Sequence, residues 1–163
     1  MKKIFIISFL LFLVSCDNGD IEVPSFDFES EIYSCDNNTV LYIANNDNTE
    51  VLILQLPVNT FGTTPGLITI PLTSENCNYR LFDAAFYPDY FCSTVPPVDP
   101  KVLKNWVAVT GDGNNILIET KILGGESAAI DYEYVITLEN LVLQSDEESI
   151  TYDTFNFGVF TLE

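Results

Sequence analysis

The chain has 163 residues, with 24 acidic against six basic side chains and a formal net charge of −18. A field of that sign repels nucleic acid, so we expect no nucleic-acid partner. Apolar residues make up 47% of the chain and aromatic residues 13%, which favours a folded core over disorder. The sequence contains no His, which excludes His-based catalytic triads and most zinc or iron sites.

Residues 1–15 have the form of a secretory signal peptide. Two lysines precede an apolar run over residues 4–14, and the small residue Ser15 follows. A basic start, an apolar run of roughly 7–15 residues and small residues at the cleavage point are typical of such peptides. The run is also shorter than the roughly 20 residues that a membrane-spanning helix needs. We therefore expect residues 1–15 to be removed after export.

The end of this peptide reads Leu13-Val14-Ser15-Cys16. It resembles the lipobox of bacterial lipoproteins, in which Leu, a tolerant position and a small residue precede a Cys. The resemblance implies a diacylglycerol on the Cys16 sulfur, cleavage after Ser15 and acylation of the new amino group. Two or more acyl chains hold a protein stably on a membrane, whereas one does so only marginally. The alternative is an ordinary signal peptide with a Cys there by chance.

Residues 16–24 are predicted to form a flexible tether, because the stretch from Asp17 to Glu22 is polar and acidic. An acidic segment after the lipidated Cys resembles the export signal of surface lipoproteins in flavobacterial-type bacteria. In enterobacterial lipoproteins, an Asp directly after the Cys resembles an inner-membrane retention signal instead. Of the two, we expect the outer membrane and the cell surface.

From residue 25 onwards the pattern is typical of short strands. The run over 51–56 is apolar at every position except Gln55, which predicts a central strand. The four runs from residue 106 onwards are joined by short loops and predict an antiparallel meander. The candidate strands lie at 26–28, 40–43, 51–56, 67–72, 79–82, 106–109, 116–123, 130–143 and 155–159. Helix signals are limited to one turn over 101–105 and a stretch over 80–86.

Many short strands without long helices predict a single all-β domain over residues 25–163. We expect an antiparallel β-sandwich, with an open barrel as the alternative. Pro96, Pro97 and Pro100 are predicted to form a crossover between its two halves. Three cysteines lie in this domain (Cys35, Cys77 and Cys92), and spacing alone does not choose the pair that forms a disulfide.

Three groups of residues carry a resemblance to a family. They are Cys35 with the Asn-rich residues and strand after it, residues 91–97 with Pro100, Val102 and Trp106, and residues 116–120 with the end that contains Gly158. Together they resemble small flavobacterial-type lipoproteins of uncharacterised function, over most of the mature chain. The resemblance implies a Cys35–Cys92 disulfide, with Cys77 left over. A Cys77–Cys92 bridge is the alternative, and the resemblance implies no activity.

Aromatic residues beside the Pro-rich segment are candidates for a surface that binds glycan or peptide. They are Tyr87, Tyr90, Phe91 and Trp106. The alternative is core packing, since the interior of a sandwich uses alternating aromatic side chains.

Calcium is a second candidate ligand, because hard cations take oxygen ligands from turn residues. Asp47 in one turn, and Asp112 and Asn114 in another, have suitable side chains. Neither turn matches a full EF-hand loop, and Asn, Asp and Gly are also what tight hairpin turns demand. No other cofactor is expected.

Paired carboxylates are the remaining candidate for catalysis, since glycoside hydrolysis needs only two of them across a cleft. Asp131 and Glu133 share a strand face, and residues 146–148 form an acidic turn. A solvated face and a charged loop are the favoured explanation, so we assign no catalytic residue. We expect a membrane-anchored envelope lipoprotein that is not an enzyme and that contacts glycan, peptide or an envelope protein. A carboxylate-based hydrolase and a calcium-stabilised structural module are the alternatives.

Overall fold

The computed structural model describes residues 25–29, 31–35, 37–93, 95, 97–123, 131–146 and 148–162. Cys16 and the predicted signal peptide and tether lie outside these residues. Over the described part the strands form one antiparallel sheet that does not close into a barrel. The strands are β1 (Tyr33–Cys35), β2 (Val40–Ala44), β3 (Glu50–Gln55), β4 (Gly66–Pro71), β5 (Cys77–Phe82), β6 (Val102–Ala108), β7 (Asn115–Leu123), β8 (Asp131–Gln144) and β9 (Ser149–Thr161). The predicted antiparallel all-β fold is confirmed.

The strand order is β1-β2-β3-β5-β6-β8-β7-β4, and β9 pairs with β8. Strand β9 runs along one edge of β8 for nearly its whole length. The other edge of β8 is shared, because β7 pairs with its first nine residues and β6 with Leu143 and Gln144. Strands β6 and β7 therefore lie end to end along β8. The predicted meander holds for β7, β8 and β9, but β6 pairs with β8 rather than with β7.

One apolar core lies between two parts of this sheet, the part with β1–β3, β5 and β6 and the part with β4 and β7–β9. Leu52 of β3 and Trp106 of β6 belong to the same buried cluster as Ile118 of β7 and Phe157 of β9. These side chains are at most 1% exposed, which requires the sheet to fold over on itself so that its faces meet. A register shift at Ile136/Thr137, opposite β9, marks an irregularity of the kind that bends strands.

The first described residues pack against β5 and β9. The ring of Phe26 stacks on Tyr79 with the centroids 4.7 Å apart and lies 5.0 Å from the ring of Tyr152. Phe28 forms a single bridge with Asn45 at the end of β2. The strand predicted over 26–28 is thus reduced to one bridge, and its two aromatic side chains complete the core.

A second apolar layer covers the other face of β2 and β3. It consists of Tyr42, Ile53 and their neighbours, packed against Phe86 and Tyr90 from the β5–β6 connection. That connection contains a 3-10 helix over Pro88–Phe91. The Cys35–Cys92 disulfide ties it to β1, and Cys77 is free and buried. The pairing implied by the family resemblance is confirmed, and the Cys77–Cys92 alternative is wrong.

Two helix predictions are wrong. Residues 102–105 belong to β6, and residues 80–82 belong to β5, because both segments pair with a neighbouring strand rather than with themselves. Pro97 and Pro100 lie between β5 and β6, which are adjacent, so they do not form the predicted crossover; Pro96 lies outside the described residues. The chain passes between the part of the sheet with β1–β3, β5 and β6 and the part with β4 and β7–β9 at residues 56–65, 72–76 and 109–114. Within the described residues, no helix is long and apolar enough to span a membrane.

Candidate binding groove

The candidate site follows from a mismatch in strand length between β6 and β8. Strand β6 begins at Val102 and pairs with β5 along its length. On its other edge, only Val107 and Ala108 have partners in β8, because β8 ends at Gln144. Among the described residues, the edge of β6 from Val102 to Trp106 therefore has no strand beside it.

A groove of about 980 Å³ lies along this edge. Strand β6 and the residue after it supply one wall, and the end of β8 with its turn supplies the other. The lining residues are Leu103, Lys104, Asn105, Val107, Val109, Gln144, Ser145 and Asp146. The groove therefore combines apolar side chains with amide, hydroxyl and charged groups, a mixture that suits a ligand with both kinds of surface.

The backbone of β6 also faces the groove. The N–H of Val109 donates to the carbonyl of Val142 at 2.8 Å, so the backbone groups of Val109 point towards β8. Because backbone groups alternate along a strand, those of Val107 and Asn105 point the same way. Beside Asn105 strand β8 has already ended, so its N–H and C=O are open to the groove. An extended peptide is the ligand that matches such an edge.

An ion pair borders the groove. The Nζ of Lys104 lies 3.1 Å from Oε1 of Glu148, and it sits 5.8 Å from the centre of the Trp106 ring. The indole N–H of Trp106 is buried without a hydrogen-bond partner among the described residues. These groups hold the lysine stem over the core and keep its charge beside the groove.

Three of the four aromatic candidates come together, with ring centroids 6.0 Å apart for Tyr87 and Tyr90 and 5.0 Å apart for Tyr90 and Phe91, but they do not form an open surface. Trp106 is fully buried in the main core, and Tyr90 is 6% exposed in the second apolar layer. Phe91 packs on Tyr42 with the ring centroids 4.9 Å apart. Only Tyr87 among the four is well exposed, at 48%. Most of this group therefore packs in the interior, as the core-packing alternative predicted.

The predicted calcium ligands lie in two different turns. Asp47 is exposed in the β2–β3 turn, where the side chain of Asn45 accepts bonds from the N–H groups of Thr49 and Glu50. Asn114 is buried and donates to the carbonyl of Val109 at 2.8 Å, so its amide serves the β6–β7 turn. The described residues contain no group of three or more acidic or Cys side chains placed to hold a metal. Calcium binding stays a prediction, which thermal unfolding with added calcium would check.

The carboxylate candidates are placed as follows. Asp131 is exposed and Glu133 half-buried near the start of β8, while Asp146 lines the groove. A smaller concavity of about 360 Å³ is lined by Asp83 and Asp99 beside Tyr87. In that concavity a carboxylate oxygen of Asp83 accepts the N–H of Lys101 at 2.8 Å, so part of its capacity serves the connection before β6. Hydrolase activity stays an alternative.

No known protein family, curated protein or solved structure matches this chain. The groove itself was not predicted from the sequence. A sequence pattern could have indicated the groove only by showing that β6 is longer than the part of β8 that pairs with it. Lys104 and Asn105 interrupt the apolar pattern, so the start of β6 was not recognised.

Proposed function

We propose that this chain is a lipid-anchored lipoprotein of the bacterial cell envelope that binds an extended peptide segment of a protein partner. The observation that carries the address is the lipobox-like Leu13-Val14-Ser15-Cys16 at the end of an apolar leader. The polar and acidic residues 17–22 support this arrangement, because a short tether would separate the lipid from the folded domain. The outer membrane, facing the cell surface, is the proposed location.

The preference for a peptide over a glycan rests on the groove. Glycan binding would use exposed aromatic side chains, and of the four candidates only Tyr87 is well exposed. A strand edge with open backbone groups beside amide and apolar side chains instead fits an extended polypeptide. The strong negative charge of the chain favours a neutral or basic segment.

The address is tested by the mass of the mature protein made in a bacterial host. We expect the mass of residues 16–163 plus a diacylglycerol and an N-acyl group, and recovery in the detergent phase. Cys16→Ala should remain unlipidated, whereas Cys77→Ala is the control that should be lipidated normally. An unmodified Cys16 or a retained leader would overturn the proposal.

The binding role is tested in intact cells that make the protein with a photo-reactive residue placed in its groove. A probe at Val107 should give a discrete adduct with one protein, and a probe at the exposed Asp153 of β9 is the matched control. Equal labelling from both positions would contradict a role for the groove. Peptide mapping of the adduct should show the partner cross-linked through one continuous segment.

A further inference from the structure

Strand β4 is an edge strand without charge. Over the described residues it pairs only with β7, so its other edge is open. No charged residue occurs from residue 51 to residue 74, in a chain with 24 acidic side chains. Leu67 is 62% exposed and Ile68 is 37% exposed. Open edges are normally protected by charged side chains, so an uncharged apolar edge indicates a surface that pairs with another strand.

The register shows which backbone groups are open. Ile68 pairs with Ile118, and the N–H of Leu72 donates to the carbonyl of Asn114 at 2.9 Å in the same register. Even-numbered residues of β4 therefore bond to β7, and Leu67 and Thr69 direct their N–H and C=O groups outwards. Pro71 also has this orientation, which agrees with the preference of Pro for the solvent side of an edge strand.

We propose that the β4 edge pairs antiparallel with β4 of a second copy of this chain, with Ile68 on the two-fold axis. In that register Leu67 lies opposite Thr69 of the second copy, and the four open N–H groups of the two strands all find carbonyl acceptors. Pro65 then lies opposite Pro71 of the second copy. Since neither has an N–H, no donor is left unpaired at either end of the contact. The edge is thus complementary to itself, as a two-fold contact requires.

The side chains agree with this contact. Ile68 lies on the face of β4 that meets the core, yet it is 37% exposed because the sheet ends there. Its pairing partner Ile118, one strand further in, is fully buried. On the axis the two Ile68 residues form a pair without backbone bonds between them, the closer type, with Cα atoms about 4.5 Å apart. Each side chain then covers the other.

The charge of the chain explains why this edge is the favoured contact. Two copies, each with a formal charge of −18, repel one another over most of their surface. The β4 edge allows close approach without bringing carboxylates together. Salt screens the repulsion and leaves backbone hydrogen bonds and apolar contacts largely unchanged, so self-association strengthens as salt is added. This inference goes beyond the proposed function and does not depend on lipidation.

The test uses the mature chain with Cys16→Ser, which removes only the site of lipid attachment. Sedimentation velocity up to about 1 mM protein should show a shift from one to two chains, at lower concentration in high salt than in low salt. Thr69→Lys places a charge beside the axis, and Thr161→Lys makes the same charge change on the exposed β9. We expect at least a tenfold weaker association for Thr69→Lys and no weakening for Thr161→Lys.

Disulfide trapping tests the register. Ile68→Cys should cross-link two copies in oxidised glutathione, since a Cα separation of about 4.5 Å allows a disulfide. Val58→Cys, which is 74% exposed in the β3–β4 connection, is the control and should not cross-link. Circular dichroism confirms that each variant is folded. A monomer at every concentration, equal effects of the two lysine variants, or a dimer that Ile68→Cys fails to trap would each overturn the proposal.

Discussion

The hydroxyl of Tyr79 donates a hydrogen bond of 2.8 Å to the carboxylate of Glu50, and both side chains are buried. The same carboxylate oxygen accepts bonds from the N–H and the hydroxyl of Ser25, at 3.2 Å and 2.9 Å. A buried carboxylate is costly unless hydrogen bonds replace its water. Burial, and then the bond to Glu50, raise the pKa of Tyr79. This cluster fastens the beginning of the described chain to the core.

Glu50→Gln should lower the free energy of unfolding by about 1–3 kcal/mol. The neutral amide oxygen is a weaker acceptor than the carboxylate, so the three bonds lose their charge assistance, and the NH2 group replaces the oxygen that lies 3.5 Å from the N–H of Ser25. Urea unfolding measures the change. The matched control is Glu119→Gln, at an exposed carboxylate 3.1 Å from the Nζ of Lys121, where a loss of less than about 1 kcal/mol is expected. Equal losses for the two variants would contradict a special role for Glu50.

Removing the Cys35–Cys92 bridge with paired Ser substitutions should cost about 4 kcal/mol on the chain-entropy model. The two cysteines are 57 residues apart, so the bridge removes a large amount of freedom from the unfolded chain. Denaturant unfolding of the double variant against the parent gives the value. Peptide mapping of Cys77→Ala should still find residues 35 and 92 linked, and a rearranged bridge would refute the assignment.

The thiol of Cys77 should be unreactive in the folded protein. It is fully buried, and burial raises its pKa to about 12, so the reactive thiolate is scarce at neutral pH. Iodoacetamide at about pH 8 should label it only after urea unfolds the chain. Comparable labelling with and without urea would show that the core opens at this position.

Stability should decline in alkali through Tyr42. Burial, followed by the proximity of Tyr33 and Asp89, raises the pKa of Tyr42 from 10.0 to about 12, and its hydroxyl donates to the carbonyl of Pro88. Since the folded state binds the proton more tightly than the unfolded state, this contribution is complete below about pH 10 and is lost as the pH rises towards about 12. Two pKa units correspond to roughly 3 kcal/mol.

Urea unfolding at intervals between about pH 9 and pH 12 measures this slope. Tyr42→Phe should be less stable at neutral pH, because the bond to Pro88 is lost, and should show a shallower decline in alkali. Tyr87→Phe, at a side chain that is 48% exposed, is the matched control for removing a tyrosine hydroxyl. If Tyr42→Phe keeps the full slope, the alkaline transition belongs to other groups.

Sequence patterns did not predict the groove, and the aromatic candidates they indicated lie elsewhere for a physical reason. Tyr90 and Trp106 are near one another in the chain and look like a surface cluster, but strand alternation directs Trp106 into the core, and the β5–β6 connection places Tyr90 in the second apolar layer. The groove depends on where β6 begins relative to the end of β8, and those strands are separated in the chain by the whole of β7. No local pattern contains that comparison.

Local chemistry in the sequence was enough to predict the all-β class and most strand positions. Alternation over 130–143 predicts β8 (Asp131–Gln144) because each side chain of a strand faces core or solvent according to its own position. Tertiary structure alone decided that residues 102–105 form a strand rather than a helical turn, since their hydrogen bonds go to β5. It also decided which edges stay open, because an edge is defined by a neighbour that is absent, and pairing between distant segments is a property of the whole chain.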